Sequence, residues 1–202
     1  MKAMKWYKYD IHDLSDEEYV YWYSLMSKEK QERVDRFRLI DDKKRTVAGE
    51  MLARKAVAKW CGVAPESITI AVGEYGKPYA VNLDVEFNIS HSGNMVVCAV
   101  SNKPVGIDVE QIRPIDLSVA RRVCTEDELF YIFGRKPTEA DFVYTENASL
   151  LTHFFDIWTK KEALGKKTGM GIRICKACDC EFEQVQFGNY KITILTLIQS
   201  QT

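Results

Sequence analysis

The sequence predicts an α+β fold made of two similar halves. Two long segments, at about 43–60 and 150–167, carry apolar residues at helical spacing, and short strand-like segments follow each of them. Residues 54–70 and 161–174 both contain a basic helix end, a glycine stop and a strand-like run. We interpret this recurrence as a faint internal duplication, with halves of about 100 residues each.

The first half is expected to begin with a short amphipathic helix. Ser15 and Glu18 have the spacing of a capping box ahead of an apolar-rich stretch at 19–26. A highly charged segment, 28–44, leads into the long helix, which Gly62 is expected to end. A strand at 67–72 and a turn at 74–78 are predicted next.

Three short strands are predicted at 85–90, 95–100 and 105–110, and their close spacing predicts a meander. Polar turns at 92–94 and 102–104 separate them.

The second half is expected to contain two helices and a closing hairpin. Thr125 and Glu128 form a second capping-box pattern before a short helix. The long helix at 150–167 is expected to stop at Gly169 and Gly171. Residues 178–187 and 190–198 are predicted to pair as the hairpin.

Composition excludes several classes of protein. The chain has 202 residues, 46% of them hydrophobic, which is enough for a full core. Lys and Arg total 28 against 29 Asp and Glu, which argues against a general nucleic-acid binder. Apolar runs fall short of the ~20 residues of a membrane span, and the N-terminus does not resemble a signal peptide. A soluble cytoplasmic protein with free cysteine thiols is therefore expected.

The segment 106–110 (GIDVE) contains the first candidate site. In a strand, Gly106, Asp108 and Glu110 share one face, which places two carboxylates two residues apart. A cation between them would relieve their repulsion, and Mg²⁺ favours such oxygen ligands. Gly106 leaves room for a ligand or a backbone to approach. The alternative is a solvated strand face.

The segment 158–166 (WTKKEALGK) contains the second candidate. Glu162 and Lys166 are four residues apart on the predicted helix. They could form an ordinary surface ion pair, or they could supply a third metal carboxylate and a phosphate-binding cation.

Two further groups could bind an anion. Ser90 and His91 lie at a strand end followed by a glycine turn, where hydroxyl and backbone N–H donors are available. Lys30, Arg33 and Arg45 form a basic set that could grip a phosphate, although a solvated charged linker is the usual fate of such a run.

In their order along the chain, these segments resemble the signature of the Sfp-type 4′-phosphopantetheinyl transferase family. The matching segments are 87–93 (FNISHSG), 106–110 (GIDVE) and 158–166 (WTKKEALGK), with 74–78 (EYGKP) and 45–46 (RT) upstream. Each motif alone is weak, but the ordered set covers about 24–167 of the chain.

The resemblance implies a fold and a domain organisation. It implies a pseudo-dimer of two α/β halves, residues 1–104 and 105–202, with coenzyme A in the cleft between them. Only residues 172–202 follow Gly171, so a shortened C-terminal half is expected.

The resemblance also implies roles for individual residues. The metal carboxylates would be Asp108, Glu110 and Glu162, and the catalytic set would be Glu162, Lys166 and Asp108. Coenzyme A would be bound by Lys30, Arg33, Arg45, Lys77, Ser90, His91 and Lys166. Either Glu162 or Glu110 could serve as general base.

The implied activity is Mg²⁺-dependent transfer of 4′-phosphopantetheine from coenzyme A to a serine of an apo acyl or peptidyl carrier protein, releasing 3′,5′-ADP. The enzyme would be a monomer without nucleic-acid or membrane partners. A catalytically idle coenzyme A- or carrier-binding module and a metal phosphohydrolase are alternatives. A zinc site at Cys175, Cys178 and Cys180 is a further one, although no second Cys-x-x-Cys completes it.

Overall fold

The computed structural model describes residues 4–73, 76–168 and 180–197, which form a mixed α+β fold with antiparallel sheets. The helices are α1 (Asp16–Ser24), α2 (Lys28–Asp35), α3 (Ile40–Cys61), α4 (Ser118–Val123), α5 (Glu126–Phe133) and α6 (Ala148–Thr168). The strands are β1 (Lys5–Asp10), β2 (Ile70–Val72), β3 (Pro78–Ala80), β4 (Glu86–Ser92), β5 (Met95–Ser101), β6 (Gly106–Gln111), β7 (Ile115–Asp116), β8 (Tyr144–Thr145), β9 (Cys180–Phe187) and β10 (Tyr190–Leu197).

The first sheet has the order β1-β5-β4 and packs against α3. Val47 and Met51 of α3 are fully buried with Val96 and Cys98 of β5. Helix α3 begins three residues before its predicted start, because Asp41 and Asp42 extend its first turn, where negative charge is favourable. It ends as predicted at Gly62, whose φ of 76° lies in the left-handed region.

The second sheet has the order β6-β10-β9, and α6 covers one of its faces. The predicted closing hairpin is confirmed across 180–197, while residues 178, 179 and 198 lie outside the described residues. The C-terminal tail therefore completes this sheet. Gly169 and Gly171, where α6 was expected to stop, both lie outside the residues that the structure describes.

The predicted meander is wrong in one respect. β4 and β5 form a hairpin as expected, but β6 leaves the first sheet and pairs with β10. Strand spacing could not reveal this partner, because β6 is buried on both faces and its pattern suits either sheet. Ile107 and Val109 pack in one cluster with Val97 of β5 and Ile192 of β10, so the two sheets pack together.

Side chains of β4 join the two sheets at the outer edge of β6. Alternate residues of β4 accept hydrogen bonds from alternate backbone N–H groups of β6. The pairs are Ile107 N to Asn88 Oδ1 at 3.0 Å, Val109 N to Ser90 Oγ at 3.3 Å and Gln111 N to Ser92 Oγ at 3.1 Å. We call this set the junction ladder. The division into units 1–104 and 105–202 stays a prediction.

Helix α6 crosses β6 at Gly106. A Cβ atom on Gly106 would lie 1.9 Å from the carbonyl oxygen of Ala163 and 2.9 Å from its carbonyl carbon. The space that the sequence predicted beside Gly106 is therefore filled by the backbone of α6. This close approach brings the acidic face of β6 under the basic end of α6.

Within the described part of the chain, none of the helices combines the length and apolar character that a membrane span requires.

Candidate active site

Asp108, Lys166 and Ser90 meet where β6, α6 and β4 converge. The Lys166 ammonium lies 2.5 Å from Asp108 Oδ1 and 2.7 Å from Ser90 Oγ. The Ser90 hydroxyl donates to Asp108 Oδ1 at 2.8 Å while accepting from the Val109 backbone. Three motifs that are distant in sequence thus meet at one point.

Asp108 is buried in an environment that disfavours its charged form. Its side chain is almost fully enclosed, and this desolvation raises its pKa to about 7, although the Lys166 ammonium opposes the rise. Oδ2 is buried and has no hydrogen-bond partner among the described residues. A buried carboxylate oxygen in that position is stabilised by a further cation or proton.

Glu110 is held from two directions. Its Oε2 accepts a hydrogen bond from the Ser92 hydroxyl at 2.8 Å, and its Oε1 accepts one from the Trp158 indole N–H at 3.2 Å. As the sequence predicted, Glu110 shares the α6-facing side of β6 with Asp108.

Glu162 lies one helical turn before Lys166 and is partly buried. Desolvation raises its pKa, the Lys166 charge lowers it, and the Glu110 charge raises it. Glu110 likewise raises the pKa of Asp108. Glu110 therefore lies close enough to both Asp108 and Glu162 to influence them electrostatically.

These carboxylates suit a hard divalent cation in chemistry. They offer oxygen donors, and one of those donors, Asp108 Oδ2, is buried without a described partner. As they stand in the described ranges, no three His, Cys, Asp or Glu side chains are close enough to form a ready-made cation site. The other oxygen of Asp108, Oδ1, forms an ion pair with Lys166.

Arg45 and His91 lie together beside the turn between β4 and β5. Arg45 pairs with Asp42 at 2.5 Å and donates to the Gly93 carbonyl at 2.7 Å. Desolvation, followed by the charges of Arg45 and Lys166, lowers the pKa of His91. The His91 residue is nevertheless exposed by surface area. A ring that is exposed to solvent and yet desolvated by the protein around it is typical of a concave surface.

Lys30 and Arg33 have other surroundings. Lys30 lies 2.5 Å from Glu50, a buried carboxylate that also binds Arg54 at 2.8 Å. Arg33 is exposed on α2. The ion pair of Lys30 was not predicted, and the phosphate-binding role of both residues toward coenzyme A, called the clamp role below, stays a prediction.

The remaining predicted positions are peripheral or fall outside the description. Lys77 pairs with Glu86 at 2.8 Å, next to the small β2-β3 sheet. Cys175 and Cys178 lie outside the described residues, as does the side chain of Cys180. The zinc alternative therefore stays untested.

Two side chains that contact Glu110 were not predicted from the sequence. The Trp158 indole N–H and the Ser92 hydroxyl each donate a hydrogen bond to Glu110. One signal was available, because Trp158, Glu162 and Lys166 are spaced by four residues and share one helix face.

Comparisons with known proteins identify the family of the chain. A family model described as "4′-phosphopantetheinyl transferase, N-terminal" matches residues 13–103, and one for the 4′-phosphopantetheinyl transferase superfamily matches 104–201. The 4′-phosphopantetheinyl transferase Sfp of Bacillus subtilis (strain 168) is 34% identical over 162 residues, which cover 80% of this chain and 68% of that protein. The chain belongs to the 4′-phosphopantetheinyl transferase family.

Other members of the 4′-phosphopantetheinyl transferase family match at similar levels. A Bacillus subtilis transferase is 38% identical over 152 residues, and the transferase gsp of Aneurinibacillus migulanus is 38% identical over 151 residues. Each match covers 75% of this chain, but it spans 63% and 59% of the respective relative's length.

A solved holo-(acyl-carrier-protein) synthase from Bacillus anthracis, in complex with CoA (3′,5′-ADP), gives a TM-score of 0.40 at 18% identity. It covers 48% of this chain and 91% of that chain. At this level the likeness carries no argument about ligands.

Proposed function

We propose that this protein transfers the 4′-phosphopantetheine arm of coenzyme A to a serine hydroxyl of an apo acyl or peptidyl carrier protein. The observation that carries the proposal is the meeting of Asp108, Lys166 and Ser90, with Glu110 and Glu162 beside them. Family membership adds independent support. We also propose a cytoplasmic location, where coenzyme A would be available.

The chain's own cations would hold the substrate. Lys166 offers a partly buried positive charge next to Asp108, suited to a pyrophosphate oxygen. Arg45 lies beside His91 at the β4-β5 turn, and we propose that it binds the 3′-phosphate. His91 would donate to a phosphate from its exposed ring. Ser90 and Lys77 would line the nucleotide pocket.

Asp108, Glu110 and Glu162 would hold Mg²⁺. When bound, the ion would act as a Lewis acid and neutralise charge on the pyrophosphate. Binding of a divalent cation would also relieve the repulsion by Glu110, whose charge, after desolvation, contributes to the raised pKa values of Asp108 and Glu162.

The chemical step forms one bond and breaks one. The carrier serine oxygen attacks the β-phosphorus of coenzyme A, and the bond between that phosphorus and the bridging oxygen breaks, releasing 3′,5′-ADP. Lys166 stabilises the negative charge that grows on the phosphate oxygens. The serine proton passes to a carboxylate, for which Glu162 is the first candidate and Glu110 the second.

The direct test is incubation of the protein with coenzyme A, Mg²⁺ and a panel of apo-carrier proteins, read by intact-protein mass spectrometry. At least one carrier should gain the mass of a single phosphopantetheine arm, and its Ser→Ala variant at the acceptor position should gain none. Coenzyme A binding without transfer to any carrier would indicate an idle binding module. Release of inorganic phosphate with no modified protein would indicate a phosphohydrolase.

Arg45→Ala is expected to raise KM for coenzyme A by about tenfold or more, the effect of losing a charge-assisted hydrogen bond. The KM for dephospho-coenzyme A, which lacks the 3′-phosphate, should change little. Steady-state kinetics with both substrates measures the difference. Equal losses for the two substrates would contradict the 3′-phosphate assignment.

Lys30→Ala provides a comparison. Because Lys30 contacts the buried Glu50, its removal should lower the melting temperature by leaving Glu50 with Arg54 alone. A selective rise in KM for coenzyme A at an unchanged melting temperature would instead support a clamp role for Lys30.

A further inference from the structure

The junction ladder differs in its surroundings from one rung to the next. At each rung, a side-chain oxygen of β4 accepts a hydrogen bond from a backbone N–H group of β6. At the Ser90 and Ser92 rungs the same hydroxyl also donates to a carboxylate of the candidate site. The Asn88 rung differs, because among the described residues the Asn88 side chain makes no hydrogen bond to a carboxylate.

Hydroxyl chemistry makes this double contact directional. A serine hydroxyl has one proton and two acceptor lone pairs. The Gln111 N–H lies 3.1 Å from Ser92 Oγ and takes up one lone pair. The single proton then points to Glu110 Oε2, which lies 2.8 Å away. Ser92 therefore links the Glu110 carboxylate to the backbone of β6, the strand that carries Glu110.

Glu110 is fixed by contacts from two different elements. Ser92 of β4 holds Oε2, and Trp158 of α6 holds Oε1 at 3.2 Å. Two bonds to different oxygens determine the rotation of the carboxylate plane, whereas one bond leaves it free to turn. Each carboxylate oxygen keeps a lone pair for a further ligand.

We propose that Ser92 is a positioning residue, whose hydroxyl orients the Glu110 carboxylate by linking it to the junction between the two sheets. The effect of this orientation on metal binding rests on the proposed function, in which Glu110 is a ligand of the divalent cation. The orientation itself rests only on the contacts above. It is therefore testable in protein without substrate or metal.

The first experiment follows the orientation of the Glu110 carboxylate through the indole N–H of Trp158, which contacts it. In protein labelled with ¹⁵N-tryptophan, Trp158→Phe assigns the Trp158 indole N–H resonance. Ser92→Ala is expected to shift that resonance, because Glu110 loses its second anchor. Asn88→Ala is the matched control: it removes a rung of the same ladder, and the resonance should stay in place. If Ser92→Ala fails to fold, Ser92→Cys tests the same contact, since a thiol is a weak donor.

The second experiment measures transfer. Ser92→Ala should raise the Mg²⁺ concentration for half-maximal rate by about tenfold or more, as for other groups that orient metal ligands. Ser92→Thr, which keeps the hydroxyl, should restore it. Asn88→Ala should lower the melting temperature while leaving that concentration unchanged.

Clear outcomes would overturn the proposal. An indole resonance at the wild-type position in Ser92→Ala, or an equal shift in Asn88→Ala, would reduce Ser92 to a general junction contact. Absence of transfer in the wild-type protein would instead count against the proposed function, while the resonance would still decide the role of Ser92.

Discussion

Asp108→Asn should reduce the rate of phosphopantetheine transfer by about 100- to 1000-fold, the range seen when a group that stabilises transition-state charge is removed. The substitution keeps the shape of the side chain and its capacity to accept from Ser90 and Lys166. It removes the negative charge that, under the proposed function, helps to bind a divalent cation. Transfer rates at saturating coenzyme A, over a titration of Mg²⁺, measure the effect.

The folded state of this variant is checked by its stability in metal-free buffer. Asp108 has a pKa of about 7 in the folded protein, above its ordinary value of 3.8, so the folded state binds the proton more tightly than the unfolded state. This contribution to stability is therefore lost as pH rises from about 4 to about 7. Asparagine does not titrate, so the variant should lose less stability across that window than the wild type.

Normal transfer by Asp108→Asn at saturating Mg²⁺ would show that the residue is not a metal ligand. A variant that melts far below the wild type at pH 8 would show that its charge supports folding, and the loss of transfer would then say little about the cation.

Gly106→Ala is expected to give the largest loss of stability. The new Cβ would lie 1.9 Å from the Ala163 carbonyl oxygen, a backbone atom of α6 that cannot move aside alone. Displacing the helix should cost about 3 kcal/mol or more. For a chain of this size that corresponds to a fall in melting temperature of roughly 6–12 °C. Thermal unfolding followed by circular dichroism measures it.

Gly49→Ala is the matched control, because Gly49 is also a buried glycine at a helix–sheet contact. Its Cβ would meet Ile89 Cγ2 at 3.5 Å, an ordinary van der Waals distance. Alanine favours a helix interior by up to about 1 kcal/mol over glycine. Stability should therefore stay the same or rise, and equal losses in both variants would contradict the role of the α6 contact at Gly106.

Local patterns predicted much of this molecule from sequence. The capping box of Thr125 and Glu128 forms with both of its hydrogen bonds, whereas at the start of α1 the described bond is the one from the Glu18 backbone N–H to the Ser15 hydroxyl. The alternation in β6 correctly placed Asp108 and Glu110 on one face. These features depend on residues a few positions apart, whose relative geometry is fixed by the helix or strand itself.

Relations between distant segments were harder to predict. The spacing of three strands could not reveal that β6 pairs with β10, about eighty residues further along the chain, because a strand buried on both faces carries no mark of its partner. The basic set was predicted as one cluster from charge alone, whereas Lys30 lies beside Glu50. Which carboxylate neutralises a given lysine depends on tertiary packing.

The junction ladder has a consequence for the behaviour of the protein at high concentration. A strand that ends a sheet with its N–H groups free invites strand addition from another molecule and so promotes aggregation. On the outer edge of β6, the N–H groups of Ile107, Val109 and Gln111 are already bound by side chains. Side chains of β4 thereby protect this edge without backbone pairing, and two of them, Ser90 and Ser92, also bind the carboxylates of the candidate site.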